Sequence, residues 1–107
     1  PVMNIGSNVG APTVPDDILV YPQGTVIAST GYGNSHTVAQ LITVSTDTLL
    51  EWVKKEYPKK GLTLKNTSVE GGSTTFIFEN AERKYTVRID RPLDNQGSAL
   101  TVIREGK

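Results

Sequence analysis

Residues 45–61, STDTLLEWVKKEYPKKG, are the one stretch of this sequence in which apolar residues recur with a helical period. Four apolar residues fall on one side of such a helix, and charged residues fall on the other. The four are Leu49, Trp52, Val53 and Tyr57. A helix this short is only marginally stable in isolation, so its apolar side must pack against the rest of the chain.

Both ends of this helix carry sequence signals. Thr48 stands three residues before Glu51, the spacing of a capping box, which predicts a start near residue 48. Pro58 and Gly61 predict the end, because proline cannot continue a helix and glycine accepts the left-handed conformation that often follows one. The helix is therefore expected to run about two and a half to three turns.

The remaining periodic segments are rich in β-branched residues and alternate apolar with polar side chains, as β-strands do. The predicted strands cover residues 24–30, 36–45, 62–68, 73–79, 84–90 and 99–104. Residues 31–36, GYGNSH, are predicted to join the first two strands as an exposed six-residue loop. The pattern predicts an α+β fold, with a single helix packed on one face of a curved antiparallel sheet of five to six strands in the chain order β-β-α-β-β-β-β.

Length and charge indicate a single domain. With 107 residues the chain can form one modest core, and we expect a flexible leader over residues 1–15 and one α+β domain over residues 16–107. Residues 1–53 hold four acidic and no basic residues, whereas residues 54–107 hold seven acidic and eleven basic ones. Strands from both halves are expected to lie in one sheet, which would mix these charges in space.

The sequence shows no catalytic, metal-binding or nucleotide-binding motif. It contains no cysteine, which excludes disulfides, thiol catalysis and cysteine metal ligands. His36 is the only histidine, and we interpret it as an exposed residue at the start of a strand, because the adjacent Ser35 would point away from it. No phosphate-binding loop or RNA-binding consensus is present, and the charges balance. No metal, cofactor or nucleic-acid partner is predicted.

Two groups of residues are candidates for a contact surface because they are expected to be exposed. The first lies in the predicted loop 31–36, and the second belongs to a lysine cluster at the end of the helix that could attract anions, although lysines there also favour the helix dipole. The candidates are Tyr32, Asn34, His36, Lys59 and Lys60.

Three segments carry a resemblance to a known group of proteins. They are residues 15–22 (PDDILVYP) with Gly24, residues 46–48 (TDT), and residues 52–61 (WVKKEYPKKG) leading to a strand at Leu62. Together they resemble small extracytoplasmic domains of bacterial lipoproteins and secreted proteins of unassigned function. Members of that group usually show an aspartate–isoleucine–proline–valine–tyrosine–proline–glycine run and a Gly-Trp pair after the helix.

The sequence departs from that pattern at three places. Leu19 replaces the first of the prolines, Gln23 stands before the glycine, and Leu62 stands where the tryptophan is common. The resemblance covers roughly residues 15–104 and implies a fold and a location outside the cytoplasm, but no reaction. The uncharged leader would suit a tether from a lipidated cysteine upstream of this sequence.

We therefore expect a non-enzymatic binding or accessory module of the bacterial cell envelope, whose partner is another envelope protein or a surface ligand. An alternative is a tautomerase, because Pro1, residues 8–9 and residues 14–16 loosely resemble the start of the macrophage-migration-inhibitory-factor group, in which an N-terminal proline is the general base. In that group a helix follows the first strand almost at once, whereas the segment that follows here is strand-like. A further alternative is an intracellular partner-binding or inhibitory domain.

Overall fold

A computed structural model describes residues 14–22, 24–91 and 97–106, and these contain one α-helix and six β-strands. In chain order the elements are β1 (Thr25–Tyr32), β2 (Ser35–Ile42), α1 (Thr46–Glu56), a 3₁₀ turn (Pro58–Lys60), β3 (Thr63–Glu70), β4 (Ser73–Glu79), β5 (Arg83–Asp90) and β6 (Ser98–Gly106). The α+β class, with one helix and an antiparallel sheet, is confirmed, and the predicted order of the elements is confirmed in part.

The six strands form one antiparallel sheet in the spatial order β1-β2-β6-β5-β4-β3. Strands β3 to β6 follow one another as a meander, and the β1–β2 hairpin joins this meander by pairing β2 with β6. Helix α1 therefore connects β2 to a strand at the far edge of the sheet. This order leaves β1 and β3 as the two edge strands and places strands from both halves of the sequence side by side.

One face of the sheet, called here the covered face, packs against α1 and residues 14–22. The main buried side chains are Ile18, Tyr21, Val38, Leu49, Val53, Tyr57, Phe76, Phe78, Tyr85, Val87, Ile89, Leu100 and Val102. Three of the four apolar helix residues are thus fully buried, as predicted. The fourth, Trp52, is only half-buried and meets the Tyr21 ring edge-on, with ring centroids 5.1 Å apart.

The helix begins two residues earlier than predicted. Its N-cap is Ser45, whose hydroxyl accepts a hydrogen bond from the Thr48 backbone N–H at 3.2 Å. Thr46 in the first turn is buried and shares a 2.9 Å hydrogen bond with the Ser98 hydroxyl on β6, a tertiary contact that local spacing does not show. The end is as predicted, with Gly61 in the left-handed conformation at φ 80°.

The connection between β1 and β2 is shorter than predicted. It is a two-residue turn of Gly33 and Asn34, and the ladder continues up to the pair Tyr32 and Ser35. Gly33 has a φ of 59°, which suits the first central position of a tight hairpin turn whose twist matches that of the strands. The predicted six-residue loop is therefore wrong, because four of its residues belong to the strands.

Residues 14–22 lie on the covered face without joining the sheet. The Gln40 side-chain carbonyl accepts a hydrogen bond from the Tyr21 N–H at 2.8 Å, and its amide donates to the Tyr21 carbonyl at 3.1 Å. A Cβ atom at Gly24 would stand 2.6 Å from the Gln40 amide nitrogen, so glycine is needed beside this contact. Nearly all of the predicted leader, residues 1–15, falls outside the described residues, and Val14 packs against the core.

The Tyr57 side chain is fully buried between α1 and the sheet. Its ring stacks on Phe78 at 5.0 Å and meets Tyr85 edge-on at 6.1 Å, and its buried hydroxyl lies near the Leu19 backbone but makes no hydrogen bond of regular geometry with the described residues. Burial raises the pKa of Tyr57 well above its ordinary value, and the neighbouring Tyr85 adds to the rise. Because an unsatisfied buried hydroxyl costs stability, we expect Tyr57→Phe to keep or raise the free energy of unfolding, by up to about 1 kcal/mol.

Urea denaturation measures this effect. The matched control is Tyr85→Phe, which removes a hydroxyl that does donate a hydrogen bond, to Asp17 at 2.8 Å, and should lower the free energy of unfolding by about 1 kcal/mol. A loss of similar size in Tyr57→Phe would show that the Tyr57 hydroxyl has a partner in the folded protein.

Candidate functional site

A polar cluster lies on the covered face near the start of β5 and the end of β6. One Asp17 oxygen binds Arg104 at 2.6 Å, and the other binds Arg83 at 2.7 Å and accepts from the Tyr85 hydroxyl at 2.8 Å. Burial by itself raises the pKa of Asp17, but hydrogen bonds from Arg104 and Tyr85 and the two positive charges outweigh it, so the pKa is lowered. The cluster fastens residues 14–22 to the sheet and uses both carboxylate oxygens to do so.

His36 lies beside this cluster and not at an exposed strand entry. It is half-buried on the covered face, and its Nε2 atom is 2.8 Å from the Ser29 hydroxyl on β1. A serine–histidine pair becomes a nucleophile when a third, acidic group orients the imidazole. The cross-strand neighbour of His36 on β6 is Arg104, where such a triad would need a carboxylate. We therefore interpret the contact between Ser29 and His36 as a structural hydrogen bond between β1 and β2.

The structure does not bring the five predicted contact residues together. Tyr32 is 90% exposed at the tip of the β1–β2 hairpin, and the Asn34 carbonyl there accepts from the Gly106 N–H at 3.1 Å. Lys59 and Lys60 are exposed on the 3₁₀ turn that leads into β3 at the opposite edge, where Lys59 pairs with Glu56 at 3.2 Å. The width of the sheet separates the two groups, so they do not form one site.

Strand β3 differs from the other five strands in having no buried or half-buried residue. All eight residues of Thr63–Glu70 are exposed, including Leu64 at 41% and Val69 at 68%. Its first part is interrupted by an irregularity at Lys65, between Leu64 and Asn66, and the pairing with β4 is regular from Asn66 onward. The buried core thus extends across the sheet only as far as β4, and β3 lies outside it.

The outward backbone groups of β3 follow from the hydrogen-bond pattern of its neighbours. The Arg91 N–H donates to the Gly72 carbonyl at 2.9 Å, so Gly72 faces β5 and the next residue, Ser73, faces β3. Glu70 pairs with Ser73, and the pattern alternates from there. The N–H and C=O groups of Thr67 and Val69 therefore point away from the sheet. The segment 63–70 with these outward groups is called the β3 edge below.

A shallow polar depression adjoins the β3 edge on the face of the sheet opposite α1. It has a volume of about 340 Å³ and is lined by Ser68, Glu70, Ser73, Thr75 and Arg88. The Arg88 Nε atom donates to Asp90 at 3.0 Å, its Nη2 atom lies 3.4 Å from the Ser73 hydroxyl, and that hydroxyl also donates to Asp90. These five lining residues are called the polar depression below.

Comparisons with protein-family models, with curated proteins and with solved structures found no match. Across residues 14–22, 24–91 and 97–106, no helix has the length and apolar character needed to cross a membrane. The same residues hold no group of three or more histidine, cysteine, aspartate or glutamate side chains able to bind a metal ion.

The sequence reasoning missed both the β3 edge and the polar depression. The sequence predicts a strand over residues 62–68, but the alternation of LTLKNTS gives no sign that the strand lies at an edge and beyond the core. The depression needs Ser68, Thr75 and Arg88 on neighbouring strands, and their shared register is a property of the sheet alone. The most useful sequence signal was the polar character of 66–68, which suits exposure on both faces.

Proposed function

We propose that this chain is a non-enzymatic binding module that captures an extended segment of another protein along the β3 edge. The observation that supports the proposal is the complete exposure of β3, which is eight residues long and whose outward backbone groups pair with no strand in the described part of the chain. An extended segment lying beside such an edge adds a strand to the sheet, and its backbone hydrogen bonds supply affinity.

The energetics of β3 support this reading. Ordering the backbone costs about 1–2 kcal/mol per residue, and burial of apolar side chains normally offsets that cost. In β3 no side chain is buried, so the offset comes mainly from its ladder with β4. A partner strand would satisfy the outward groups of Thr67 and Val69 and cover part of the exposed Val69 side chain.

The other edge strand, β1, is the weaker candidate. Val26 and Ser29 on it are half-buried, and the Ser29 hydroxyl is 2.8 Å from His36 on β2. Its pairing with β2 is also irregular, between Val26 and Ala28. Strand β1 therefore has two half-buried side chains, whereas every side chain of β3 is exposed.

The proposal places the module outside the cytoplasm, at a bacterial cell envelope. The support is the resemblance of residues 15–22, 46–48 and 52–62 to extracytoplasmic lipoprotein domains. The native sequence upstream of Pro1 tests this placement, because a lipidation motif there agrees with it and an initiator methionine directly before Pro1 argues for the intracellular alternative. The tautomerase alternative depends on Pro1, which lies outside the described residues.

Nuclear magnetic resonance can test strand capture with a defined probe. We expect the capped octapeptide TVTNTVTS, titrated to millimolar concentration, to shift the Thr67 and Val69 amide signals more than those of β1. Thr67→Pro removes one outward N–H while keeping the ladder with β4, so it should weaken binding at least about fivefold, the loss of one or more hydrogen bonds. Thr67→Val keeps the N–H and should bind as the parent protein does.

Three outcomes would contradict the proposal. Equal binding by the Thr67→Pro and Thr67→Val proteins would show that the outward backbone of β3 is not used. Shifts confined to β1 would place capture at the other edge. A dimer that forms with rising concentration and is lost in Thr67→Pro, observed by light scattering, would identify a second copy of this chain as the occupant in place of another protein.

A further inference from the structure

We infer that the polar depression selects a basic side chain on the captured segment. This inference rests on the proposed capture of a strand at the β3 edge and adds the chemistry of one residue of the partner. The depression carries the carboxylate of Glu70, the guanidinium of Arg88 and three hydroxyl groups, and the Asp90 carboxylate adjoins it. The ligand group that fits this set is a lysine ammonium or an arginine guanidinium.

The charges in and beside the depression favour a cation. Arg88 is paired with Asp90 at 3.0 Å, and both groups also contact the Ser73 hydroxyl, so the positive charge of Arg88 is already balanced. Among the described residues, the Glu70 carboxylate has no ionic partner. The depression together with the adjoining Asp90 therefore has a net charge of −1, and its unpaired negative charge is the exposed Glu70 carboxylate at the end of β3.

The position of Glu70 brings it within reach of a partner strand. Glu70 pairs with Ser73, whose side chain lines the depression, so the two side chains lie on the face opposite α1. An added strand would run about 4.8 Å from β3, and a lysine side chain about 6 Å long on that face could place its ammonium at the Glu70 carboxylate. The Ser68 and Ser73 hydroxyls can accept its remaining hydrogen bonds.

An acidic side chain would be disfavoured in the same place. Glu70 would repel it, and the Arg88 guanidinium that could attract it is held by Asp90. At the other end of β3, Lys65 presents the opposite charge. The β3 edge thus carries a positive charge toward its start and a negative charge at its end. This arrangement favours a partner segment that places its basic residue beside Glu70, and it favours one direction of binding over the other.

The test compares three forms of the octapeptide, in which lysine, glutamate or norleucine replaces one residue at each alternate position in turn. We expect the best lysine peptide to bind about fivefold more tightly than its norleucine counterpart, as one exposed ion pair allows, and the glutamate peptide to bind more weakly. Glu70→Gln should abolish the preference, and 0.5 M salt should reduce it. Glu82→Gln, a change at an exposed carboxylate in the β4–β5 turn, is the control and should preserve it.

The outcomes separate this inference from the proposed function. If no peptide binds, strand capture itself is wrong. If all three forms bind equally and Thr67→Pro still weakens them, strand capture stands and the selection of a basic residue is wrong. If the lysine preference survives Glu70→Gln, the depression is not the site that reads the charge, and the inference is overturned.

Discussion

Replacing Asp17 with asparagine is expected to lower the free energy of unfolding by about 2–3 kcal/mol. The substitution keeps the shape of the side chain but removes the negative charge that faces both Arg83 and Arg104. The Arg104 side chain is only 19% exposed, so it would remain partly buried without a counter-charge. Residues 14–22 would then lose the ionic contact that fastens them to β5 and β6.

Urea denaturation gives the stability, and Trp52 gives a local signal. Trp52 is the only tryptophan, and it contacts Tyr21 on the fastened segment, so its fluorescence should change at lower urea concentration when the segment detaches. The control is Asp16→Asn, because Asp16 is the exposed neighbouring carboxylate and its loss should change stability by less than about 0.5 kcal/mol. Equal effects of the two substitutions would show that the ion pairs of Asp17 contribute nothing specific.

The same contact makes stability depend on pH, with a definite sign. The pKa of Asp17 is lowered in the folded protein from its ordinary value of 3.8, so below that value the unfolded chain binds a proton more readily than the folded protein does. The stabilisation is therefore complete above the ordinary pKa and is lost as the pH falls through the lowered one. In Asp17→Asn this part of the acid dependence should disappear, which denaturation curves recorded below pH 5 would show.

Replacing Gln40 with leucine is expected to have an effect of similar size, a loss of about 1–3 kcal/mol in the free energy of unfolding. Gln40 is 1% exposed, and its side chain binds both the N–H and the C=O of Tyr21. Leucine has a similar volume but would leave the Tyr21 N–H buried without a partner, whereas the Tyr21 carbonyl would keep only its hydrogen bond from the Gly24 N–H at 3.0 Å. The neighbouring Leu41 is 52% exposed on the other face, so Leu41→Ala serves as the control and should cost less than about 0.5 kcal/mol.

The two substitutions test whether Asp17 and Gln40 hold one structural unit. Both fasten residues 14–22, at opposite parts of the segment. If release of the segment is the common cause, the double variant should lose clearly less stability than the sum of the single losses, because a detached segment cannot be detached again. Strict additivity would show that each contact stabilises the protein independently.

Local patterns predicted most elements because their causes are local. The alternation of Tyr85, Val87 and Ile89 in one strand requires only that one face be buried, and all three are buried in the structure. Pro58 and Gly61 end the helix through their own backbone preferences. The spacing predicts a helix start near residue 48, whereas the N-cap is Ser45, because Ser45 and Thr48 are both good cap residues.

The contacts that fasten the fold could not be predicted in the same way. Asp17 and Arg104 are 87 residues apart in the chain and meet only because β6 lies between β2 and β5. Ser29 and His36 are seven residues apart, but their hydrogen bond depends on the hairpin turn being two residues long, whereas the sequence reasoning assigned six. Each of these contacts depends on strand order or register, which no single segment specifies.

The sequence by itself determined an amphipathic helix whose Leu49, Val53 and Tyr57 are buried, together with an α+β class in which this helix accompanies an antiparallel sheet of five to six strands. Only the tertiary structure decided that β3 lies at an edge beyond the cover of the core. The physical reason is that the spacing of apolar residues indicates which side of a helix or strand is buried, whereas an edge strand is defined by the absence of a neighbouring strand. The proposed site depends on that second kind of information.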